Sequence, residues 1–88
     1  MNMLNIYTLG ECPHCRKTIA FLVENRIEFV NFDMDEQPDH VVQKIIEVNG
    51  GEDWVVPTLE FDGRWRKGKI FDAQELTKDL QDLGVIRK

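Results

Sequence analysis

Short apolar runs alternate with amphipathic stretches along this 88-residue chain. The first run, MLNIYTL, is rich in strand-forming residues and predicts a buried strand over residues 3–9. A helix is expected over residues 13–25. Pro13 is compatible with its start, because a proline is tolerated in the first turn of a helix. The apolar positions of that helix recur at helical spacing and are Cys15, Ile19, Leu22 and Val23.

The middle of the chain repeats this order. Residues 28–34, EFVNFDM, predict a second strand. A second helix is expected from Pro38, and the Asn-Gly-Gly triplet at residues 49–51 is a strong signal for its end. The apolar face of this helix consists of Val41, Val42, Ile45, Ile46 and Val48.

The last third of the chain predicts a hairpin and a final helix. Residues 54–61 favour a third strand that is interrupted at Pro57, and the Asp-Gly pair at 62–63 favours a tight turn into a fourth strand, RWRK. Asp72 is expected to cap the final helix, with a glutamate three residues later as in a capping box. Its apolar positions are Leu76, Leu80 and Leu83, and Gly84 ends it.

The predicted order of elements is therefore β-α-β-α-β-β-α. The first β-α-β unit should be parallel with a right-handed crossover, and the hairpin should be antiparallel. Residues 1–88 are predicted to form a single α/β domain, with helices on both faces of one four-stranded mixed sheet. Arg64 and Arg66 are expected to protect an exposed edge strand. Trp65 alternates with them and is expected to pack under the last helix.

Composition and charge narrow the classes of function. Hydrophobic residues make up 42% and charged residues 31% of the chain, which is typical of a globular protein. The net charge of −5 disfavours nucleic acid or an anionic membrane as the main partner. No apolar run is long enough to span a membrane, and the N-terminus lacks the pattern of a signal peptide. We expect a monomeric, cytoplasmic protein.

The two cysteines of the chain, Cys12 and Cys15, lie in the segment GECPHC. A disulfide between residues this close adds little to stability, because the loop that it closes is very short. A structural zinc site needs four ligands, and the other candidates, His14 and His40, are poorly placed to complete one. An iron–sulfur cluster shared between two chains through Cys12 is an alternative, and so is a non-enzymatic binding module.

A C-x-x-C pair at the junction of a strand and a helix is typical of a dithiol redox site. Pro13 is expected to be the first residue of the helix. The unpaired N–H groups of the first helical turn would stabilise a thiolate at Cys12. Cys15, one turn later, can resolve a mixed disulfide on Cys12. His14 is expected to favour the thiolate with partial positive charge. The Cys12–Cys15 pair would then carry the electrons itself, with no bound cofactor and no metal.

Three segments, IYTLGECPHC, VVPT and GKIFD, resemble those of the thioredoxin superfamily, and specifically the small glutaredoxin-like redoxins. The longer segment VNGGEDWVVPTLEF is most similar to actinobacterial redoxins of the mycoredoxin type. The resemblance implies a thioredoxin-like, glutaredoxin-type fold. It also implies a thiol–disulfide oxidoreductase that reduces protein disulfides or mixed disulfides with a small thiol.

The same resemblance implies a substrate site. It places a cis peptide bond before Pro57 and directs the backbone of Val56 toward an extended thiol substrate. Gly68 and Asp72 match the glycine-acidic turn that precedes the family's last helix, although a lysine stands where a second glycine is usual. Asp72 either binds a substrate amino group or only caps its helix. Trp54 either borders the substrate groove or anchors the loop.

The electron donor is the point at which the sequence departs from this family. Many glutathione-using relatives carry a lysine shortly before the first cysteine and a basic residue before the Val-Pro motif, where both hold carboxylates. Here residues 8–11 read TLGE, and Glu52 and Asp53 precede the Val-Val-Pro motif. The remaining candidate cations are Arg16, Lys17 and Lys69. We therefore predict weak use of glutathione and reduction by another small thiol or by a flavoprotein reductase.

Overall fold

The computed structural model describes residues 3–87 and contains the predicted helices and strands in the predicted order. One short 3-10 turn, Met34–Glu36, was not expected from the sequence. The elements are β1 (Leu4–Thr8), α1 (Pro13–Glu24), β2 (Phe29–Asp33), α2 (Asp39–Val48), β3 (Thr58–Phe61), β4 (Arg64–Arg66) and α3 (Ala73–Leu83).

The four strands form one mixed sheet in the order β2-β1-β3-β4. Strand β1 pairs in parallel with β2 and antiparallel with β3, and β3 and β4 form the antiparallel hairpin. The sequence placed the start of β3 at residue 54, but the strand begins only at Thr58. Pro57 has no N–H to donate to a ladder, so residues 54–57 lie outside the sheet. They are thereby free to form part of a site beside it.

Helices cover both faces of the sheet, as predicted. One face packs against α1 and α3, and the buried side chains there are Leu4, Ile6, Leu22, Leu59, Leu76, Leu80 and Leu83. Each such leucine contributes about 1.5–3 kcal/mol by leaving water. Helix α2 covers the opposite face with its buried Ile45. Among residues 3–87, the structure contains no helix that combines the length and the apolar character needed to cross a membrane.

The prediction that Trp65 packs under α3 is wrong. In the β3–β4 ladder the core residue Leu59 faces Arg66, so Arg66 takes the position on the α3 side. Its Nε donates to Asp79 Oδ2 at 2.9 Å. Trp65 points to the other face, where its ring stacks 5.9 Å from that of Tyr7 and lies under the ammonium of Lys44. Of the two arginines on this edge strand, only Arg64 is exposed.

Candidate active site

The first cysteine is the residue at which β1 passes into α1. The N–H of Cys12 donates to the carbonyl of Leu9 at 3.1 Å, which closes a tight turn. Cys12 is the N-cap residue of α1, and Pro13 is the first residue of the helix. The Sγ atom of Cys12 accepts the N–H of Cys15 at 3.3 Å. A helix N–H therefore points at this sulfur, and the positive end of the helix dipole stabilises negative charge on it.

The second cysteine has a different environment, although both thiols are free. Cys15 is only 1% exposed, whereas Cys12 is partly exposed. Burial and a hydrogen bond to Cys12 raise the pKa of the Cys15 thiol to about 12, while a hydrogen bond with the Leu9 backbone acts in the opposite direction. At neutral pH Cys15 is thus a buried neutral thiol, and only Cys12 is accessible to a substrate.

A loop outside the sheet faces the first cysteine. The peptide bond between Val56 and Pro57 is cis, as the family resemblance implied. The Val56 carbonyl oxygen lies 4.0 Å from Cys12 Sγ, and Pro57 is fully buried behind it. Trp54 is half-buried at the start of this loop, and its backbone N–H donates to Asp53 Oδ1 at 2.8 Å. The structure therefore brings together Cys12 and the Val56-Pro57 pair, which are more than forty residues apart in sequence.

The site has two walls: the Val55–Pro57 loop is one, and residues 68–71, which precede α3, are the other. Gly68 packs so closely on Val55 that a Cβ atom at residue 68 would lie 2.5 Å from Val55 Cγ1. Three residues later, the N–H of Phe71 donates to His14 Nδ1 at 3.0 Å. Residues 68–71 thus run from the Val56 loop to the first turn of α1. Asp72 accepts the N–H of Glu75 at 3.0 Å and caps α3, so its contact with a substrate stays a prediction.

The hydrogen bond to His14 bears on the role predicted for this residue. An imidazole nitrogen accepts a hydrogen bond only through a free lone pair, so the ring makes this contact in its neutral form. A charged ring that helps the Cys12 thiolate would have to give up the bond from Phe71. The influence of His14 on Cys12 therefore stays a prediction. In addition, the ring of His14 holds the backbone of Phe71 against the first turn of α1.

Two of the three cations considered for binding a small anionic thiol are already engaged. Lys69 Nζ lies 2.9 Å from Asp79 Oδ2 and 2.9 Å from Glu75 Oε1. These hydrogen bonds raise the pKa of Lys69. Arg16 donates to the carbonyl of Gly10 through Nη2 at 3.1 Å. Lys17 is exposed on the first turns of α1.

Comparison with known families decides what kind of domain carries this site. A family model described as glutaredoxin matches residues 4–65, which is more than half of the chain. The chain belongs to the glutaredoxin family. The match includes both cysteines and the Val56-Pro57 pair.

Solved structures show the same fold for this glutaredoxin. A glutaredoxin from Archaeoglobus fulgidus superposes with a TM-score of 0.68 at 23% identity, over 94% of this chain and 86% of its own. Glutaredoxin 1 from Francisella tularensis, complexed with cacodylate, gives 0.61 at 22% identity, over 93% and 95%. The thioredoxin-like protein BC3987 gives 0.61 at 24% identity, over 85% and 96%.

No curated protein gives a significant match to this glutaredoxin. Membership of the family supports a thiol–disulfide oxidoreductase-type role, and glutaredoxins in general act on protein or thiol substrates and use glutathione. The mycoredoxin-type subgroup stays a prediction. Within residues 3–87, no three side chains of His, Cys, Asp and Glu lie close enough together to hold a metal ion.

Two polar residues behind the site were not singled out as functional from the sequence. Asn49 was assigned only to the end of α2, but its side chain reaches Gly68 and Thr58. Thr58 is completely buried at the start of β3. Neither residue carries a local signal of such a role, because the partners of Asn49 lie nine and nineteen residues further along the chain.

Proposed function

We infer that this glutaredoxin reduces disulfides through attack by Cys12 and resolution by Cys15. The observation that supports this assignment most strongly is the contrast between the two sulfurs. Cys12 Sγ is accessible, accepts a helix N–H at 3.3 Å and faces the Val56 carbonyl. Cys15 is buried beside it and remains protonated at neutral pH. Nucleophilic sulfur chemistry requires the thiolate, so the first step belongs to Cys12.

The two steps balance in sulfur, protons and electrons. The Cys12 thiolate forms a bond to one sulfur of the substrate, and the other substrate sulfur leaves as a thiolate. Cys15 then attacks Cys12 Sγ, its proton passes to a departing thiolate, and the first substrate sulfur is released. The substrate disulfide gains two electrons. One of its sulfurs receives the Cys15 proton, and the other takes from water a proton equivalent to the one that Cys12 released when it ionised. The protein is left with a Cys12–Cys15 disulfide. No bound cofactor is needed, and we place this reaction in a monomer in the reducing cytoplasm.

The walls of the site favour protein disulfides as substrates. The Val56 backbone beside Cys12 can pair with an extended chain as a strand would. Two apolar side chains of the adjoining segments are exposed, Val55 at 44% and Ile70 at 72%. Ile70 belongs to the short segment between Gly68, which packs on Val55, and Phe71, which is bonded to His14. An apolar rim of this kind gains more from an apolar peptide side chain than from a small charged thiol.

The charges around the site support the proposal that glutathione is a poor donor. Lys69 and Arg16 are held by other partners, and Glu52 and Asp53 are exposed before the Val56 loop. A carboxylate of glutathione would therefore meet more negative than available positive charge. We propose that another small thiol or a flavoprotein reductase reduces the Cys12–Cys15 disulfide. Steady-state assays with each donor check this, and saturable turnover at sub-millimolar glutathione would contradict it.

The sulfur assignment is tested by alkylation and trapping. Iodoacetamide at neutral pH should modify Cys12 well before Cys15, as resolved by peptide mass spectrometry. The Cys15→Ser protein should accumulate a mixed disulfide with a peptide substrate, whereas Cys12→Ser should accumulate none. Equal alkylation of the two thiols would sink the assignment. A visible absorption band after anaerobic purification would instead favour the alternative function of a shared iron–sulfur cluster.

A further inference from the structure

Two helices of this protein end on an asparagine with the same local geometry. Asn25 follows α1 and Asn49 follows α2, and in each case Nδ2 donates at 2.8 Å to the carbonyl four residues earlier. Both residues therefore terminate their helix in the same way. Within residues 3–87, the side chain of Asn25 makes only this hydrogen bond and is exposed to solvent.

Asn49 uses the rest of its amide to join two other segments. Nδ2 also donates to the hydroxyl of Thr58 at 3.0 Å, and Oδ1 accepts the N–H of Gly68 at 2.7 Å. The Thr58 hydroxyl in turn donates to the carbonyl of Val55. One partly buried amide is thus connected to the Val55–Pro57 loop through Thr58 and to the opposite wall through Gly68.

These bonds bear directly on the place where a substrate would lie. The Val55 carbonyl belongs to the peptide plane that also contains the N–H of Val56, so fixing one fixes the direction of the other. The side chain of Val55 rests on Gly68, which Asn49 holds. The bond from Phe71 to His14 holds one wall in addition, but the side chain of Asn49 is connected to both walls beside Cys12, and their separation and orientation therefore depend on it.

We propose that Asn49 is a positioning residue for substrate binding. It holds the Val56 backbone and the Gly68 wall in the arrangement that accepts an extended peptide disulfide beside Cys12. This inference rests on the proposed function. Asn49 acts through Thr58 and Gly68, so it belongs to peptide binding and not to the chemistry of the thiol.

The test compares Asn49→Ala with the matched variant Asn25→Ala, which removes the same helix-end bond without touching the site. The substrate is a synthetic peptide carrying one cysteine as a chromogenic mixed disulfide, with dithiothreitol as the donor. We expect Asn49→Ala to raise KM about tenfold, the effect of losing one to two partly buried hydrogen bonds. Asn25→Ala should leave KM unchanged. The rate of Cys12 alkylation by iodoacetamide should be unchanged in both, because so small a reagent does not need the walls.

A second pair of variants examines the connection through the threonine. Thr58→Val removes the hydroxyl and should raise KM as Asn49→Ala does, whereas Thr58→Ser keeps the hydroxyl and should retain the wild-type KM. The double variant Asn49→Ala with Thr58→Val should be less impaired than the sum of the single effects, since both break one network. Additive effects would contradict the proposal.

Two further results would overturn the inference. One is the same KM in Asn49→Ala and Asn25→Ala, and the other is a loss of alkylation rate as large as the change in KM. If Asn49→Ala does not fold, hydrogen exchange of the Gly68 amide is measured in the wild type. The bond to Asn49 requires slow exchange, so fast exchange would also overturn the inference. Failure of the proposed function would look different, since the wild type itself would then not turn over the peptide.

Discussion

The two halves of the site are built in different ways. In the thiol half, residues 9–18, the decisive contacts are local: Cys12 bonds to Leu9 and to Cys15, and the Thr18 hydroxyl donates to the His14 carbonyl. In the substrate half, residues 54–72, the contacts come from far along the chain. Its segments are held by Asn49, His14 and Asp79. The contacts around the thiol thus come from the junction of β1 and α1, whereas the surface that would receive a substrate depends on the whole fold.

The largest expected effect comes from the thiol half. Cys12→Ser should abolish disulfide reduction, because a hydroxyl neither ionises at neutral pH nor forms the mixed disulfide. Stability should stay within about 0.5 kcal/mol of the wild type, since the side chain is partly exposed. Peptide-disulfide turnover and urea unfolding of the same preparation measure the two quantities. A large loss of stability in Cys12→Ser would show that Cys12 also supports the packing of the substrate half, contrary to the local contacts described above.

The next largest effect concerns the anchor of the substrate half. Arg66 is 6% exposed and Asp79 15%, and Asp79 also holds Lys69. Asp79→Asn would leave a buried guanidinium without its anion, and we expect a loss of about 3 kcal/mol in urea unfolding. The control is Glu47→Gln, which breaks the exposed Lys44–Glu47 pair and should cost under about 0.5 kcal/mol. Similar losses in the two variants would contradict the importance of this anchor.

A steric change in the substrate half should have a somewhat smaller effect. Gly68→Ala places a Cβ 2.5 Å from the Val55 side chain and 2.8 Å from the Val55 backbone, so the wall must move. We expect about 1–3 kcal/mol of destabilisation, as for other overpacked sites, and a raised KM for peptide substrates. Gly10→Ala is the matched control in the thiol half, since a Cβ atom at residue 10 would meet no atom of another segment within 4 Å. Unchanged KM in Gly68→Ala would rule out a tight wall.

Acid should weaken the anchor of the substrate half at Asp79. Burial alone would raise the pKa of Asp79, but hydrogen bonds from Arg66 and Lys69 outweigh it and hold that pKa below the ordinary value of 3.8. Since the folded-state pKa is depressed, its contribution to stability is complete above the ordinary value and is lost as pH falls through the folded-state value. The difference in unfolding free energy between wild type and Asp79→Asn should therefore shrink below about pH 4. A constant difference would count against this linkage.

The smallest effect tests the contact between the two halves at His14. His14→Tyr should lower the reduction potential, because any positive charge on the ring favours the Cys12 thiolate and the dithiol state. We expect a shift of at most about 30 mV, equivalent to about 1.4 kcal/mol, because the bond from Phe71 uses the neutral ring. His14→Asn serves as the control, since its amide oxygen can replace the acceptor without a charge. A raised potential in His14→Tyr, read in a redox-buffer titration, would be inconsistent with this role.

The sequence alone determined the features that depend on near neighbours. The element order, the start of α1 at Pro13 and the capping of α3 by Asp72 all follow from hydrophobic spacing and helix-end chemistry. The cis bond before Pro57 came from family resemblance and is present. The roles of Cys12 and Cys15 are predicted from the same local physics, and the alkylation experiment tests them.

Only the tertiary structure decided which side chains meet across the sheet. Period-two alternation separates Trp65 from Arg66 but does not say which of them faces α3, and the register with Leu59 settles it. In the same way, Lys69 is basic in the sequence but becomes unavailable to an anion only because Asp79 and Glu75 of α3 lie beside it. Asn49 looks like an ordinary helix end until folding brings Gly68 to its amide. Such contacts join residues far apart in the chain, so no local pattern encodes them.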